Sequence, residues 1–206
     1  MKRLLLLLNI ILLASVQMHA GNREGAPLLR YGLEWGTTGT LYTSVHQNYT
    51  AEEGYRIDEY ISEWTYISNA FVSVNFGFNI LPGFAAGLYA GYAGLTSDRR
   101  MFPLTLRLTC TPKGYDNDSF TSYIEGGFGF TDIKHLAARC TLASGGVGYH
   151  MALSRSVSID YLASLRFAMD HPAIIDQDSG ITVPTSSIRL NNVIYLSLNF
   201  GIAVNF

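Results

Sequence analysis

The sequence has little charge and, beyond its first residues, no long apolar run. Only 15% of its 206 residues are Asp, Glu, Lys or Arg, whereas soluble domains contain about 25%. After residue 20, no apolar stretch approaches the roughly 20 residues that a spanning helix needs. The first shortage argues against an ordinary water-soluble domain, and the second argues against a helical membrane protein.

Basic residues and cysteines are also scarce. Residues 1–20 contain two of the 14 basic residues and none of the 16 acidic ones, so the remainder has a net charge of −4. This balance gives no reason to expect nucleic acid as a partner. Cys110 and Cys140 match no metal-binding spacing, and neither a metal nor a cofactor is expected. Export would permit a disulfide between them, although the predicted strands place them near opposite rims.

Apolar and polar residues alternate in many segments, most clearly in residues 195–206, YLSLNFGIAVNF. The even positions from Leu196 to Phe206 are all apolar, whereas the odd positions from Ser197 to Asn205 are small or polar. A period of two is typical of a β-strand with one apolar and one polar face.

The N-terminus has the order of an export signal. Lys2 and Arg3 precede an apolar run over residues 4–13, and small or mixed residues follow up to Ala20. This pattern predicts a secretory signal peptide over residues 1–20 and a single barrel domain over residues 21–206. The apolar run is too short to cross a hydrocarbon core of about 30 Å as an anchor.

The alternation recurs often enough to predict eight strands. Most of them have ten residues or more, which is enough to cross hydrocarbon at a tilt, and their connections alternate between long and short. We therefore predict an all-β, eight-stranded antiparallel up-and-down transmembrane β-barrel in the outer membrane, with both termini periplasmic. The predicted strands are 29–44, 66–80, 84–94, 102–111, 119–131, 140–153, 157–169 and 195–206.

A soluble, lipocalin-like periplasmic barrel has the same period but turns its apolar face inward. The composition of the polar face separates the two. That face contains mostly Gly, Ser, Thr and Asn rather than the Lys and Glu of a water-exposed surface. Small residues suit the narrow interior of an eight-stranded barrel. The apolar face is therefore predicted to contact lipid.

Two neighbouring segments carry a resemblance to a known family. FPLTLRL at residues 102–108 is followed by YIEGGFGF at residues 123–130. In these segments the chain resembles small outer-membrane β-barrel proteins of the OmpA/OmpX type, especially those of Bacteroidetes. The resemblance implies that the barrel-assembly machinery recognises Phe200 and Phe206 on the last strand. It implies no activity.

Several charged residues fall on the predicted inner faces. Because an unpaired buried charge is very costly, we expect Arg107 to pair with Glu125 on the adjacent strand, and Asp160 and Arg166 to pair with residues on strands next to their own. An interior of this size is usually filled by side chains, which favours an ion-paired plug over a polar path. The set comprises Arg107, Glu125, Asp160 and Arg166, with Arg30 and Glu34 as further candidates.

The segment 46–65, predicted to be a surface loop, is rich in aromatic residues. Tyr49, Tyr55, Tyr60 and Trp64 are candidate anchors for an external ligand of unknown identity. In an alternative interpretation, Tyr60 and Trp64 extend the second strand into an aromatic belt at the membrane surface.

The sequence favours a non-enzymatic outer-membrane barrel with a plugged lumen, acting in envelope structure or in interactions of its surface loops. Its expected partners are outer-membrane lipid and the assembly machinery. One alternative is a lipid-modifying enzyme, for which His150 and Ser154 are the candidate pair. However, His150 is predicted to face inward and Ser154 to lie in a turn. The other alternative is the soluble ligand-binding barrel.

Overall fold

A computed structural model describes residues 28–81, 83–97, 99–131, 139–154, 156–176 and 179–206. The predicted signal peptide lies outside the described residues. Eight β-strands account for most of the described chain. They are β1 Leu29–Thr50, β2 Arg56–Leu81, β3 Phe84–Gly94, β4 Arg100–Cys110, β5 Ser119–Phe130, β6 Arg139–Ala152, β7 Ser158–Asp170 and β8 Ile188–Asn205.

The strands form one closed barrel in chain order. Each strand pairs antiparallel with the next, and β1 pairs with β8 to complete the ring. The predicted eight-stranded up-and-down barrel is therefore confirmed. Across the described ranges, no helix is long and apolar enough to cross a membrane.

Strand β4 shows how the side chains are divided between the two sides of the wall. Leu104, Leu106 and Leu108 are exposed by 47%, 51% and 46%, whereas Thr105 and Arg107 between them are exposed by only 3% and 5%. On this strand, large apolar side chains thus cover the outside and polar ones face the interior. This reverses the arrangement of a soluble barrel and contradicts that alternative. A closed ring of hydrogen-bonded strands with an apolar exterior is the architecture of a membrane-spanning barrel.

The two ends of the barrel differ. The connections between β2 and β3, β4 and β5, and β6 and β7 lie at the end where β1 begins and β8 ends, and none exceeds eight residues. Gly83 and Gly114 stand in the first two of these connections with φ angles of 91° and 83°, which glycine adopts without strain. The opposite end carries the longest connection, residues 171–187 between β7 and β8.

Strands β1 and β2 are longer than predicted, and most of the segment 46–65 is strand rather than loop. The connection between the two strands is reduced to residues 51–55. The register shifts on both sides of β1 between Thr40 and Tyr42: a β-bulge makes Leu41 the extra residue against β8, whereas Thr65 and Tyr66 of β2 together oppose Leu41. Because a bulge breaks the strict alternation of side chains, the period of two does not run continuously through this region. Strand β8 likewise begins at Ile188 rather than at residue 195.

The long strands rise well beyond the rest of the barrel. β2 pairs with β3 only from Phe71 onward, and β8 pairs with β7 only from Val193 onward. Beyond those points β1 holds both neighbours, with pairs that reach Thr50 on the β2 side and Tyr49 on the β8 side. We call residues 42–50, 56–70 and 188–192 the projecting sheet.

Candidate functional site

Arg107 lies at the centre of an ion cluster in the lumen. Its guanidinium donates to Glu34 on β1 at 2.6 Å and to Glu125 on β5 at 2.6 and 2.8 Å. Thr105 donates a further hydrogen bond of 2.7 Å to Glu125. The side chains of the three charged residues are at most 6% exposed. The predicted pair of Arg107 with Glu125 is present, and Glu34 joins it from across the lumen.

Two aromatic rings enclose the same guanidinium. The centres of the Tyr89 and Tyr123 rings lie 3.9 and 4.1 Å from the Arg107 Cζ atom. A cation over an aromatic face is attracted by the ring quadrupole, most strongly where water is excluded. Arg107 is therefore fixed by carboxylates at its edge and by rings on its faces.

Asp160 on β7 forms a second cluster nearer the end where β1 begins and β8 ends. It accepts hydrogen bonds from Arg30 at 2.5 Å and from Asn205 at 2.9 Å, and it lies 2.5 Å from Nδ1 of His150. His150 lies on β6, next to β7, and a partner on a neighbouring strand was predicted for Asp160. Arg30 instead reaches Asp160 from β1, which is separated from β7 by β8. The other His150 nitrogen lies 2.9 Å from the Tyr115 carbonyl oxygen. Both ring nitrogens thus face acceptors, which a doubly protonated imidazole satisfies.

The ion pair predicted for Arg166 is not formed among the described residues. Its register neighbours on β6 and β8 are Ser144 and Ser197, so the adjacent strands offer hydroxyls in place of a carboxylate. Its Nη1 atom is buried and has no hydrogen-bond partner in the described chain. It lines a cavity of about 10 Å³ beside Arg107 and Glu125, a volume that holds about one water molecule.

An apolar layer lies inside the barrel at the end from which the projecting sheet rises. Leu95, Met101 and Cys140 are each 0% exposed. Sequence reasoning missed this layer because the alternation predicts polar residues on inner faces. Its only signals were apolar residues in the polar phase of their strands, such as Leu142 and Val193. The layer consists of Phe71, Ala93, Leu95, Met101, Cys140, Leu142, Ala168, Val193 and Tyr195.

The structure separates the four aromatic residues predicted to be loop anchors. Tyr49 is 3% exposed and packs with Ile174 and Val183, so its prediction as a surface anchor is wrong. Tyr55 lies in the short connection and is 45% exposed. Tyr60 and Trp64 lie on β2, exposed by 64% and 77%. Their placement in a loop is wrong, whereas the alternative that they extend the second strand is confirmed.

The remaining candidate residues are not brought together. The Ser154 hydroxyl accepts hydrogen bonds from the backbone of Ser156 and Val157, while His150 is buried and engaged with Asp160. Phe200 points outward, and the Phe206 ring stacks on Tyr31 with centroids 5.7 Å apart.

Two further observations concern groups that could bind metal or form a disulfide. Cys110 and Cys140 are not joined by a disulfide. The described part of the chain contains no cluster of three or more residues able to ligate a metal ion.

Comparison with known proteins gives similarity in backbone outline only. No protein-family model matches the chain, and no curated protein matches its sequence. The outer membrane protein OprG from Pseudomonas aeruginosa is 13% identical over 88% of this chain and 98% of its own, with a TM-score of 0.48. The outer membrane protease OmpT from Escherichia coli is 11% identical over 87% and 96%, with a TM-score of 0.45. The proteolytic activity in the second name belongs to that protein.

Proposed function

We propose that this chain is an exported, non-enzymatic outer-membrane barrel with a plugged lumen, and that it acts in the envelope through its projecting sheet. The ion cluster around Arg107 and the apolar layer, both buried inside the barrel, are the observation that supports the proposal. A barrel without an open path does not transport solute. We therefore assign its role in the envelope to the surfaces that it presents outside the membrane.

Two layers close the interior in different ways. Arg107 is paired with Glu34 and Glu125, and with Arg166 these residues bring two charges of each sign to the lining of a cavity of about 10 Å³. The apolar layer then blocks the end below the projecting sheet with side chains such as Leu95 and Met101. A hydrophobic constriction resists wetting. Ions would have to break buried pairs in one layer and wet an apolar seal in the next.

Export and location follow from the predicted signal peptide and the apolar exterior. Outer-membrane lipid is the proposed partner of the outward face, and the assembly machinery is the proposed partner of β8 through Phe200 and Phe206. The start of β1 and the end of β8 lie at the end opposite the projecting sheet and the longest connection, residues 171–187. Since barrels of this kind carry their longer loops outside the cell, we place both termini in the periplasm.

The location is tested by expressing the full chain in a Gram-negative host and separating the membranes. We expect the protein in the outer-membrane fraction, with faster gel migration before heating than after it, because a closed barrel stays compact in detergent. Recovery in the soluble fraction without detergent, or identical migration in both samples, would contradict the proposal.

The plug is tested by recording current across planar lipid bilayers that contain the purified barrel. We expect no steady conductance, whereas a sustained ion current would show that the lumen is open. The non-enzymatic part of the proposal is tested by mass analysis of lipid A with and without expression. An acyl chain lost or gained on expression would favour the lipid-modifying alternative.

A further inference from the structure

The projecting sheet has a long edge that pairs with no described strand. β2 pairs with β1 from Arg56 onward, but its pairs with β3 begin only at Phe71. Residues 56–70 therefore have a second row of backbone donors and acceptors that no described strand pairs, and near the barrel rim the Asn69 side chain donates to the Thr96 carbonyl oxygen at 3.4 Å. We call these residues the β2 edge. At about 3.3 Å per residue, it is about 45 Å long.

The side chains beside this edge alternate in a specific way. On the face that β2 shares with Val45 and Tyr49, the sequence places Ile57, Glu59, Ile61 and Glu63 in turn. The other face presents Asp58, Tyr60, Ser62 and Trp64. An added strand would meet the first face through direct cross-strand pairs, in which opposite charges and apolar contacts are favourable. The pattern that complements it alternates basic and apolar residues.

We propose that the β2 edge binds an extended, basic segment of a partner protein as an added β-strand. The inference rests on the surface-interaction role proposed above and names the class of partner. Backbone hydrogen bonds along the edge supply affinity in this mode of recognition, and alternate side chains supply specificity. Lys or Arg opposite Glu59 and Glu63, with apolar residues opposite Ile57 and Ile61, would satisfy both.

Charge disfavours a second copy of this chain as the occupant. The β2 edge contains Asp58, Glu59 and Glu63 but only Arg56 as a basic residue, and Arg56 is engaged with Asn48. Glu52 and Glu53 at the tip add two more negative charges. Pairing two such edges would place like charges side by side, and charged residues on an edge are a known guard against self-pairing. The same charges attract a basic strand.

The test uses the full folded barrel in nanodiscs of phosphatidylcholine and a synthetic peptide, KTVTKTVTK. This peptide alternates lysine with valine on one face and carries threonine on the other. We expect it to bind and to slow amide hydrogen exchange within residues 56–70. An N-methylated version that cannot donate on one edge, and the acidic version ETVTETVTE, should each bind at least tenfold more weakly.

A charge-reversal variant separates edge recognition from general attraction. Glu59→Lys with Glu63→Lys should reverse the preference, so that the acidic peptide binds and the basic one does not. The matched control is Glu52→Lys with Glu53→Lys, which changes the net charge equally at the tip and should keep the original preference. All four positions are exposed or half-exposed, so both variants should fold.

Three results would overturn the proposal. These are failure of the basic peptide to bind, equal binding after N-methylation, and formation by the barrel alone of a dimer whose edge amides are already protected. Gel migration before and after heating is recorded on the same preparations. A barrel that shows the heat shift and binds no peptide refutes this partner class while leaving the outer-membrane assignment standing.

Discussion

Arg107 contacts two buried carboxylates at once, so its removal affects three charges rather than one. Glu34 and Glu125 approach it from strands on different sides of the lumen, and the rings of Tyr89 and Tyr123 cover its two faces. Breaking a buried ion pair from one side is more costly than replacing all its members with apolar residues, because the remaining charge stays desolvated.

We expect Arg107→Leu to lower the free energy of unfolding by about 3–5 kcal/mol, since both carboxylates would be left buried without their cation. Urea titration in lipid vesicles measures the change. Arg107→Lys should lose less, because the ammonium keeps the charge but lacks the planar fork that reaches two carboxylates.

The matched control for Arg107→Leu is Arg100→Leu, which removes an exposed arginine at the start of the same strand. It should change stability by about 0.5 kcal/mol or less. Equal stability of the Arg107→Leu and Arg100→Leu variants would show that the buried cluster does not hold the wall together.

The hairpin of β1 and β2 forms part of the lumen wall and most of the projecting sheet. The bulge at Leu41 separates these two parts of the hairpin. Below the bulge, β1 from Gly32 to Thr40 pairs with both β2 and β8 as part of the barrel wall. Above it, the hairpin packs on the connection before β8 through Tyr49, Ile174 and Val183. The wall and the sheet therefore depend on different contacts.

Replacing residues 47–59 with an Asn-Gly turn should leave the barrel intact. The new turn would join His46 to Tyr60, which already face each other across the hairpin, and Asn-Gly suits a two-residue hairpin. We expect the heat-dependent gel shift to persist in this variant. Loss of the shift would mean that the projecting sheet is needed to close the ring.

Alternation of apolar and polar residues predicted the strands that stay within the barrel, because lipid on one side and a narrow polar lumen on the other impose a strict period of two. The predicted bounds of β3 agree with the structure at both ends. The period of two did not predict the part of β2 that precedes residue 66, because both faces of the projecting strand are exposed there and no longer differ in polarity.

Alternation also placed Arg107, Glu125 and Asp160 inside the barrel, but it could not identify every partner. The contact between Arg30 and Asp160 spans two neighbouring strand pairs, so it depends on the stagger of the whole ring. Arg166 shows the same limit: its inward position was predictable, whereas the serines beside it in the register were not.

The barrel as a whole has its polarity reversed relative to a water-soluble protein, so its stability depends on the lipid around it. Leu88 and Leu106 face each other on β3 and β4 and are exposed by 55% and 51%. In water this apolar surface would promote aggregation. In the hydrocarbon of a bilayer it makes favourable contacts with lipid.

Leu106→Arg should therefore destabilise the barrel in bilayers by about 2–4 kcal/mol, because a charge near the middle of the lipid-facing wall must leave water. Urea titration in vesicles measures the loss. Thr50→Arg, at the exposed end of β1, should have little effect. If both variants were equally stable, the apolar band would not lie in hydrocarbon.

The bulge at Leu41 has a consequence for how such a chain can diverge. Residues inserted in pairs beyond the Tyr42–Trp64 pair lengthen the projecting hairpin and move Tyr60 further from the membrane, while Glu34 keeps its place opposite Arg107. The projecting hairpin can therefore change in length and composition during evolution. The membrane-spanning strands keep their register while it does so.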